Sequence, residues 1–593
     1  MMRARGPDDA GHRWLDDGHL GLVATRLAIV DRTAPAGPYE SNCRRYVAAV
    51  AGELYNAPSL RRDLEAAGVH PKTHCDTELV VHLLAHEGVD GWSRMRGEFA
   101  VLAWDRHERT LLALRDPAGV RPLYEARVGD ALWLASEGKV LLEHAGLSRR
   151  LSRRYIEGPL FGVFTGDTHP FDGVRPLRPG VVTRYRDAQP PQEHPLRAPS
   201  PSTSARPSAE ALAEALADSV ALRVPSEVSW TVAFSGGLDS GLVAACVAEA
   251  PGASLTTLRF PDAAEDEGDA ARANAAALRL PLHEVPVERG ALIGALEPAM
   301  RASERIFANS HGPARYLLAE HIAHAGHRVV LTGEGSDEWF GGYALFWNEA
   351  QLRRGGETAA ARVEAGRGMV EGALARRIGT LGYPSFFEQR AERAQRSIAR
   401  LLRHPPARDP RARLCDALRG SLGADAFDTT RAASVLQLHD YLIPCLGEAV
   451  EMAHGLEGRP VFLDAALRAL ATQLCEEDLL DLTAPASHGT KVLLRQASRR
   501  LLPPDFEQPP KHPFIGPTWR RCFEHPAGRA LFDTWTDPAR VKSAGVFQPQ
   551  PIEMLRRGIE AGMPWTHPLD RLAGLVVGTH LLMDTFQLEG PYA

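Results

Sequence analysis

The stretch Ser229-Trp-Thr-Val-Ala-Phe-Ser-Gly-Gly-Leu-Asp-Ser240 decides the fold. Its first six residues form a short apolar strand, the two adjacent glycines demand a tight turn, and residues 241–249 carry the apolar spacing of a helix. In such a turn successive backbone N–H groups and the N-terminus of the following helix converge on one point. That point is an anion site suited to pyrophosphate. Ser235, Gly236, Gly237, Leu238, Asp239 and Ser240 make up the loop: the serines add hydroxyl donors, and Asp239 offers a carboxylate that can hold Mg2+ against phosphate oxygens. A glycine-rich strand-to-helix turn with no ligand is the plain alternative.

Outward from this loop, residues 209–224 have helical apolar spacing, 254–259 read as a second strand and 270–278 as a second helix. Strand, turn, helix and strand in that order have the rhythm of a parallel doubly wound sheet. Upstream, residues 187–208 hold six prolines among Ser, Ala and Gln. They are expected to form neither sheet nor helix and to link two domains. Before them, alternating or apolar runs at 46–50, 99–104, 110–114 and 131–134 predict a β-rich layered domain. Beyond 355 the pattern is rich in Ala, Leu and Arg and reads as helical to the end. The expected division is a domain over 1–186, a linker over 187–208 and a second domain over 209–593.

A second cluster, Val329-Val-Leu-Thr-Gly-Glu-Gly-Ser-Asp-Glu-Trp-Phe-Gly-Gly-Tyr343, repeats the arrangement of buried strand and glycine-bearing turn. If the two strands are parallel neighbours, Asp239 and Asp337 reach the same carboxyl edge of the sheet, where open α/β folds bind ligands. Two carboxylates facing one triphosphate are a candidate Mg2+ pair, and two solvent-facing acids at strand ends are the alternative.

Together these motifs resemble the synthetase domain of asparagine synthetases, ATP pyrophosphatases that activate a carboxylate as an acyl-adenylate for attack by an amine. The resemblance implies ATP and Mg2+ as cofactors, with Leu258, Thr332 and Gly333 on the adenosine part and Asp239 and Asp337 on the metal. Relatives that close β-lactam rings carry a tyrosine base at the position of Glu334, whereas ammonia-using enzymes carry glutamate. Glu334 is therefore expected to accept a proton from attacking ammonia, or else to orient its loop. Downstream, Gly489-Thr-Lys-Val-Leu-Leu-Arg495 and Pro510-Lys-His-Pro-Phe514 are similar to the family's C-terminal signature. The chain has only five lysines (72, 139, 491, 511 and 542), so each invites a question. Lys511 is expected to stabilise charge developing on the acyl-adenylate and the leaving pyrophosphate, and Lys491 to join the ATP contacts. Gly455-Leu-Glu-Gly-Arg-Pro-Val-Phe-Leu-Asp464 resembles a further family motif, with its proline and valine exchanged.

The N-terminal third resembles the same family's glutamine-hydrolysing domain, through Arg5-Gly-Pro-Asp8, Arg26-Leu-Ala-Ile-Val-Asp31, Gly52-Glu-Leu-Tyr-Asn56, Arg115-Asp-Pro-Ala-Gly-Val-Arg-Pro-Leu-Tyr124 and Ala135-Ser-Glu-Gly-Lys139. Such domains attack the glutamine amide with an N-terminal cysteine. Here Met2 is followed by arginine, and Ala51 stands where the family has an asparagine that bonds the oxyanion. Loss of such a donor costs about 10²–10³ in rate. Arg26, Gly52, Glu53 and Asp76 persist at positions that form the glutamine pocket in relatives, and are expected to be its remnants. The expectation is a scaffold domain, with the synthetase using free ammonia or a larger amine.

A formal net charge of −6 over 593 residues gives no broad positive field for nucleic acid or acidic membrane. Seven cysteines with no CxxC pair signal neither a zinc ribbon nor a disulfide framework. No apolar run is long enough to cross a bilayer, so a cytoplasmic protein is expected. The expected architecture is α/β: an N-terminal αββα domain of the N-terminal-nucleophile type, then a doubly wound synthetase domain with a helical C-terminal part. The expected activity is adenylation of aspartate or a related acid, followed by attack of ammonia. Two alternatives stand beside it: a specialised-metabolite amide synthetase or peptide cyclase, and a non-catalytic nucleotide-binding partner protein. The expected partners are small molecules, with a homodimer allowed.

Overall fold

The computed structural model describes residues 2–143, 146–187, 189–197, 206–261, 266–354, 385–419, 426–508, 514, 516–563 and 565–592. Its N-terminal part is built on the pairing of β4 (Tyr46–Leu54) with β5 (Gly97–Asp105), antiparallel from Tyr46 opposite Asp105 to Leu54 opposite Gly97. They sit inside a six-stranded sheet that also holds β3 (Tyr39–Glu40), β6 (Thr110–Arg115), β10 (Val181–Tyr185) and β11 (Gln192–Pro195), in the order β11-β10-β6-β5-β4-β3. One face packs Phe99 and Val101 against Leu60, Leu64, Leu79 and Leu83 of the helices Ala57–Ala66 and Leu79–Glu87. The other face is covered by two smaller sheets: a hairpin of β1 (Asp9–Leu15) and β2 (Leu20–Arg26), and a three-stranded sheet of β7 (Tyr124–Val128), β8 (Ala131–Ala135) and β9 (Val174–Pro176). Burial on both faces explains why β4 and β5 read as nearly continuous apolar runs.

Strand β11 corrects the expectation that residues 187–208 hold no regular structure. It is an exposed edge strand paired only with β10, and its one proline, Pro195, is the last residue, where a missing N–H costs no ladder bond.

The second sheet is entirely parallel. Strands β12 (Trp230–Ala233), β13 (Leu255–Arg259), β14 (Leu282–Pro286), β15 (Val329–Thr332) and β16 (Glu457–Pro460) lie in the order β14-β13-β12-β15-β16. The chain builds outward from β12 to one side, then returns to lay β15 on the other, with Trp230 opposite Val329 and Val232 opposite Leu331. The strand order therefore reverses between β12 and β15, and a crevice opens beyond their carboxyl ends.

Strand β16 falls where the sequence read as helical. Its residues, Glu-Gly-Arg-Pro, carry no apolar signal, yet all four are buried. Paired charges rather than hydrocarbon fill its surroundings: Arg459 Nε donates to Glu457 at 2.9 Å, and Arg121 of the N-terminal domain reaches Glu457 at 2.8 Å. Beyond the sheet, helices pack around His567–Phe586, whose Ala573, Leu575 and Val576 are fully buried. Among the described residues no helix is long and apolar enough to cross a membrane.

Buried polar ties join the two domains. Glu304 accepts the backbone N–H groups of Gly138 and Lys139 at 2.9 Å each and meets His169 Nε2 at 3.0 Å. Burial pushes His169 down to about 4; burial raises Glu304, but the His169 bond and the Lys139 charge outweigh it and hold Glu304 at about 2. Both shifts act in one direction. The unfolded chain binds the extra protons, so the stability each group contributes is present at neutral pH and is lost on acidification, between about 6.5 and 4 for His169 and between about 4.5 and 2 for Glu304. The thermal midpoint should fall as pH drops through these windows. Glu304→Gln should cost ~1.5–3 kcal/mol at pH 7, the scale of hydrogen bonds to a charged group, and should flatten the acid limb below about 4.5 while leaving that of His169 in place. Melting curves from pH 3 to 8 check this, and an unchanged acid limb in the variant would count against it.

Candidate active site

At the end of β12 the loop turns through Gly236, whose φ of +78° lies in the left-handed region. A Cβ there would stand 2.7 Å from the backbone of Ala271, so the loop needs glycine for both conformation and space. Ser235 and Ser240 face each other with hydroxyls 3.2 Å apart, and Gly237 N–H donates to the Ser235 hydroxyl at 3.3 Å. Asn274, fully buried on the helix Gly268–Leu278, holds the loop from behind by donating to the Gly236 carbonyl at 2.8 Å.

Asp239 opens the first turn of the helix Leu238–Cys246, and Asp337 that of Ser336–Trp339, which follows β15. The expected convergence of the two carboxylates is present, and Lys491 joins them. Its Nζ lies 2.7 Å from both Asp239 oxygens, 2.6 Å from Asp337 Oδ1 and 3.0 Å from the Ser336 hydroxyl. The Lys491 side chain is 2% exposed, and its backbone is left-handed (φ 55°) where it caps the helix Val492–Leu501. The glycine pair of the second motif has its reason here: a Cβ on Gly342 would fall 2.0 Å from both Asp337 Oδ1 and Lys491 Cε.

Two carboxylates converging on one cationic centre fit a Mg2+ ion carried in by a triphosphate, since that ion usually takes one or two protein carboxylates and completes its shell with phosphate and water. Among the described residues no group of three or more His, Cys, Asp or Glu side chains forms a self-sufficient metal site.

These residues line a cleft of about 400 Å³ beyond β12, β13 and β15. Ser235, Asp239, Ser240, Leu258, Thr332, Gly333, Glu334 and Asp337 all border it. Lys511 lies outside the described residues. Glu334 accepts from Arg315 Nη2 at 2.8 Å, and the same guanidinium reaches Glu451 at 3.2 Å and the Leu446 carbonyl through Nε at 2.7 Å. Burial pushes Glu451 up to about 8, against the pull of Arg315 and with the Glu334 charge adding to it, so two carboxylates share one guanidinium. Glu338 is likewise raised to about 7 by burial, with Asp337 adding to it, and accepts from Tyr343 at 2.5 Å.

Sequence reasoning missed Asn274, Arg315 and Glu451. Arg315 is one of many arginines and carries no local mark. Glu451, an acid between Val450 and Met452, was the findable one.

Of the residues expected to be remnants of a glutamine pocket, Arg26, Glu53 and Asp76 are engaged by the protein itself. The Arg26 guanidinium donates to the carbonyls of Val30 at 2.7 Å, Asp31 at 2.6 Å and Ala34. Asp76 accepts Leu54 N–H at 2.7 Å and is raised by burial to about 6. Burial also raises Glu53, which faces Arg459 of β16 at 3.4 Å. Gly52, with φ +133°, leaves no room for a Cβ, which would meet the Glu98 carbonyl at 1.9 Å.

Comparison with known proteins agrees with this geometry. The asparagine synthase family model matches residues 211–573, and a glutamine amidotransferase domain model matches residues 1–194. Amidase chry2 of Gibberella zeae is 32% identical over 371 residues, covering 58% of this chain and 54% of that one. Amidase chyE of Penicillium rubens is 29% identical over 370 residues, with the same coverage. Asparagine synthetase [glutamine-hydrolyzing] 1 of Bacillus subtilis is 32% identical over 188 residues, 30% of this chain and 28% of that one. The matched part of this chain spans about half the length of the two amidases. With its asparagine synthase model covering more than half of the sequence, the chain belongs to the asparagine synthase family and carries an N-terminal domain of the glutamine amidotransferase kind.

Proposed function

We propose that this chain is an ATP-dependent, AMP-forming amide ligase that adenylates a carboxylic acid and passes the acyl group to ammonia. The observation that carries the reading is the meeting of Asp239, Asp337 and Lys491 at the point where the strand order reverses, directly beyond the glycine turns. In the first step a carboxylate oxygen attacks the α-phosphorus of ATP, an acyl–phosphate bond forms, and pyrophosphate leaves. The loop N–H groups and serine hydroxyls bind the leaving pyrophosphate. Asp239 and Asp337 would hold a Mg2+ whose charge offsets that of the pyrophosphate. Leu258, Thr332 and Gly333 border the adenosine end, and Lys511 is assigned the charge on the acyl-adenylate. In the second step the ammonia lone pair attacks the acyl carbon, the acyl–oxygen bond breaks, AMP leaves, and Glu334 takes the proton released from nitrogen.

Ammonia from solution is the proposed nitrogen source. Arg26 spends its donors on backbone carbonyls, Glu53 faces Arg459, and Ala51 offers no side-chain donor to an oxyanion. The reading is tested by incubating the full chain with ATP, Mg2+, a panel of carboxylic acids and either ammonium or glutamine, then following AMP and amide by mass spectrometry. Acid-dependent AMP in step with amide is expected with ammonium, and no glutamate release with glutamine. Acid-independent ATP hydrolysis to ADP would refute the ligase reading, and steady glutamate release would refute the nitrogen source.

A further inference from the structure

We propose that the acid adenylated in this cleft is an apolar monocarboxylic acid, its hydrocarbon or aryl tail lying along Leu318, Leu438, Tyr441, Leu442 and Leu446, and not an amino dicarboxylic acid such as aspartate. The assignment rests on the adenylating reading above and deepens it.

Charge divides the cleft into two ends. The phosphate end carries the acids already described. Past Glu334 one wall is the helical stretch through Leu438–Leu442, a single turn of π-helix that runs directly into the helix Ile443–Leu446. Turns of this kind are frequent at functional sites, because the wider winding re-aims side chains. Leu438, Tyr441, Leu442 and Leu446 all face the cleft from this stretch, and Leu318 of the helix His311–His324 also lines it.

Apart from the Arg315–Glu334 pair, the polar groups lining this end, Asn309, Gln437, Tyr441 and His311, carry no charge at neutral pH. Tyr441 donates to Asn309 Oδ1 at 3.4 Å, and burial holds His311 down to about 4, so it carries no charge at neutral pH. Arg315 is the one charged cation among the described lining residues. Its guanidinium already serves Glu334, Glu451 and the Leu446 carbonyl. Aspartate would bring a second carboxylate and an ammonium against this leucine wall, where Arg315, the one cation among the described lining residues, is already engaged, and stripping those charges of water costs far more than burying a methylene. A tail of methylenes or an aromatic ring instead gains from every apolar wall it covers.

The test is acid-dependent ATP–pyrophosphate exchange by the full chain, comparing aspartate and glutamate with straight-chain acids from acetate to decanoate and with phenylacetate. The kcat/KM for exchange should rise by about fourfold for each added methylene until the tail fills the cleft. Aspartate should stay at the level without acid. Leu442→Arg should lower kcat/KM for the best apolar acid at least tenfold, with Leu442→Met within threefold of the parent.

Faster exchange with aspartate or glutamate than with every apolar acid would overturn the proposed substrate class while leaving adenylation in force, as would equal behaviour of the two Leu442 variants. If no acid supports exchange, calorimetric binding of octanoate in the presence of a non-hydrolysable ATP analogue separates the remaining cases. Binding there, lost in Leu442→Arg, supports the apolar site and sinks adenylation; no binding sinks the apolar site itself.

Discussion

Replacing Lys491 by methionine is expected to lower acid-dependent ATP–pyrophosphate exchange by about 10²–10³-fold, the scale seen when one preorganised charge or donor is removed from a reacting centre. Methionine keeps the length and flexibility of the side chain while removing its charge. Lys491 touches both oxygens of Asp239, Asp337 and the Ser336 hydroxyl, all within 3.0 Å, and is nearly excluded from water. Without its ammonium the two carboxylates repel at close range and turn away from the geometry that a nucleotide's metal requires. A buried charge pair that loses one partner also costs about 3–5 kcal/mol, so a lower thermal midpoint should accompany the loss of exchange. Circular dichroism at 25 °C checks that the variant remains folded. Exchange within threefold of the parent would remove Lys491 from the nucleotide site.

Glu334→Gln is expected to split the two half-reactions. Glutamine keeps the shape and can still accept from Arg315, but it cannot take a proton. Amide formation should fall by about 10²–10⁴-fold, the usual contribution of a positioned general base, whereas exchange, which precedes attack by ammonia, should stay within about threefold. The acyl-adenylate should then accumulate and be trapped by hydroxylamine. Equal loss of exchange and amide formation would mean that Glu334 orients its loop and does not move a proton. With the charge of Glu334 gone, the neighbouring Glu451 loses one cause of its raised pKa and, once ionised beside Arg315, can take the proton in its place, so the double variant with Glu451→Gln sharpens the measurement.

The parts of this protein that were legible beforehand are those whose demands are local. Gly236 must turn with positive φ beside Ala271, and Gly342 must leave space for Lys491; each constraint acts on one residue and leaves a mark in one short motif. Strands β4, β5, β12, β13 and β15 were readable because burial on two faces requires continuous apolar runs. Strand β16 was not, because its four residues are buried through ion pairs with partners such as Arg121, far away in the chain. Edge strand β11 was not, because its residues are exposed and the prolines around it read as linker.

From sequence alone, then, came two phosphate-edge turns, the doubly wound order, the family resemblance and the candidacy of Asp239, Glu334 and Asp337. Only the tertiary structure decided that Lys491, 252 residues from Asp239, lies between the two carboxylates, and that Arg315 holds Glu334 and Glu451 together. It also decided that Glu304 ties the two domains through His169, and that Glu53 faces Arg459 of β16. The physical reason is common to all four. An ion pair or buried hydrogen bond between distant segments depends on where the fold carries each partner, and a single arginine, lysine or glutamate in the sequence looks the same whether or not that meeting takes place.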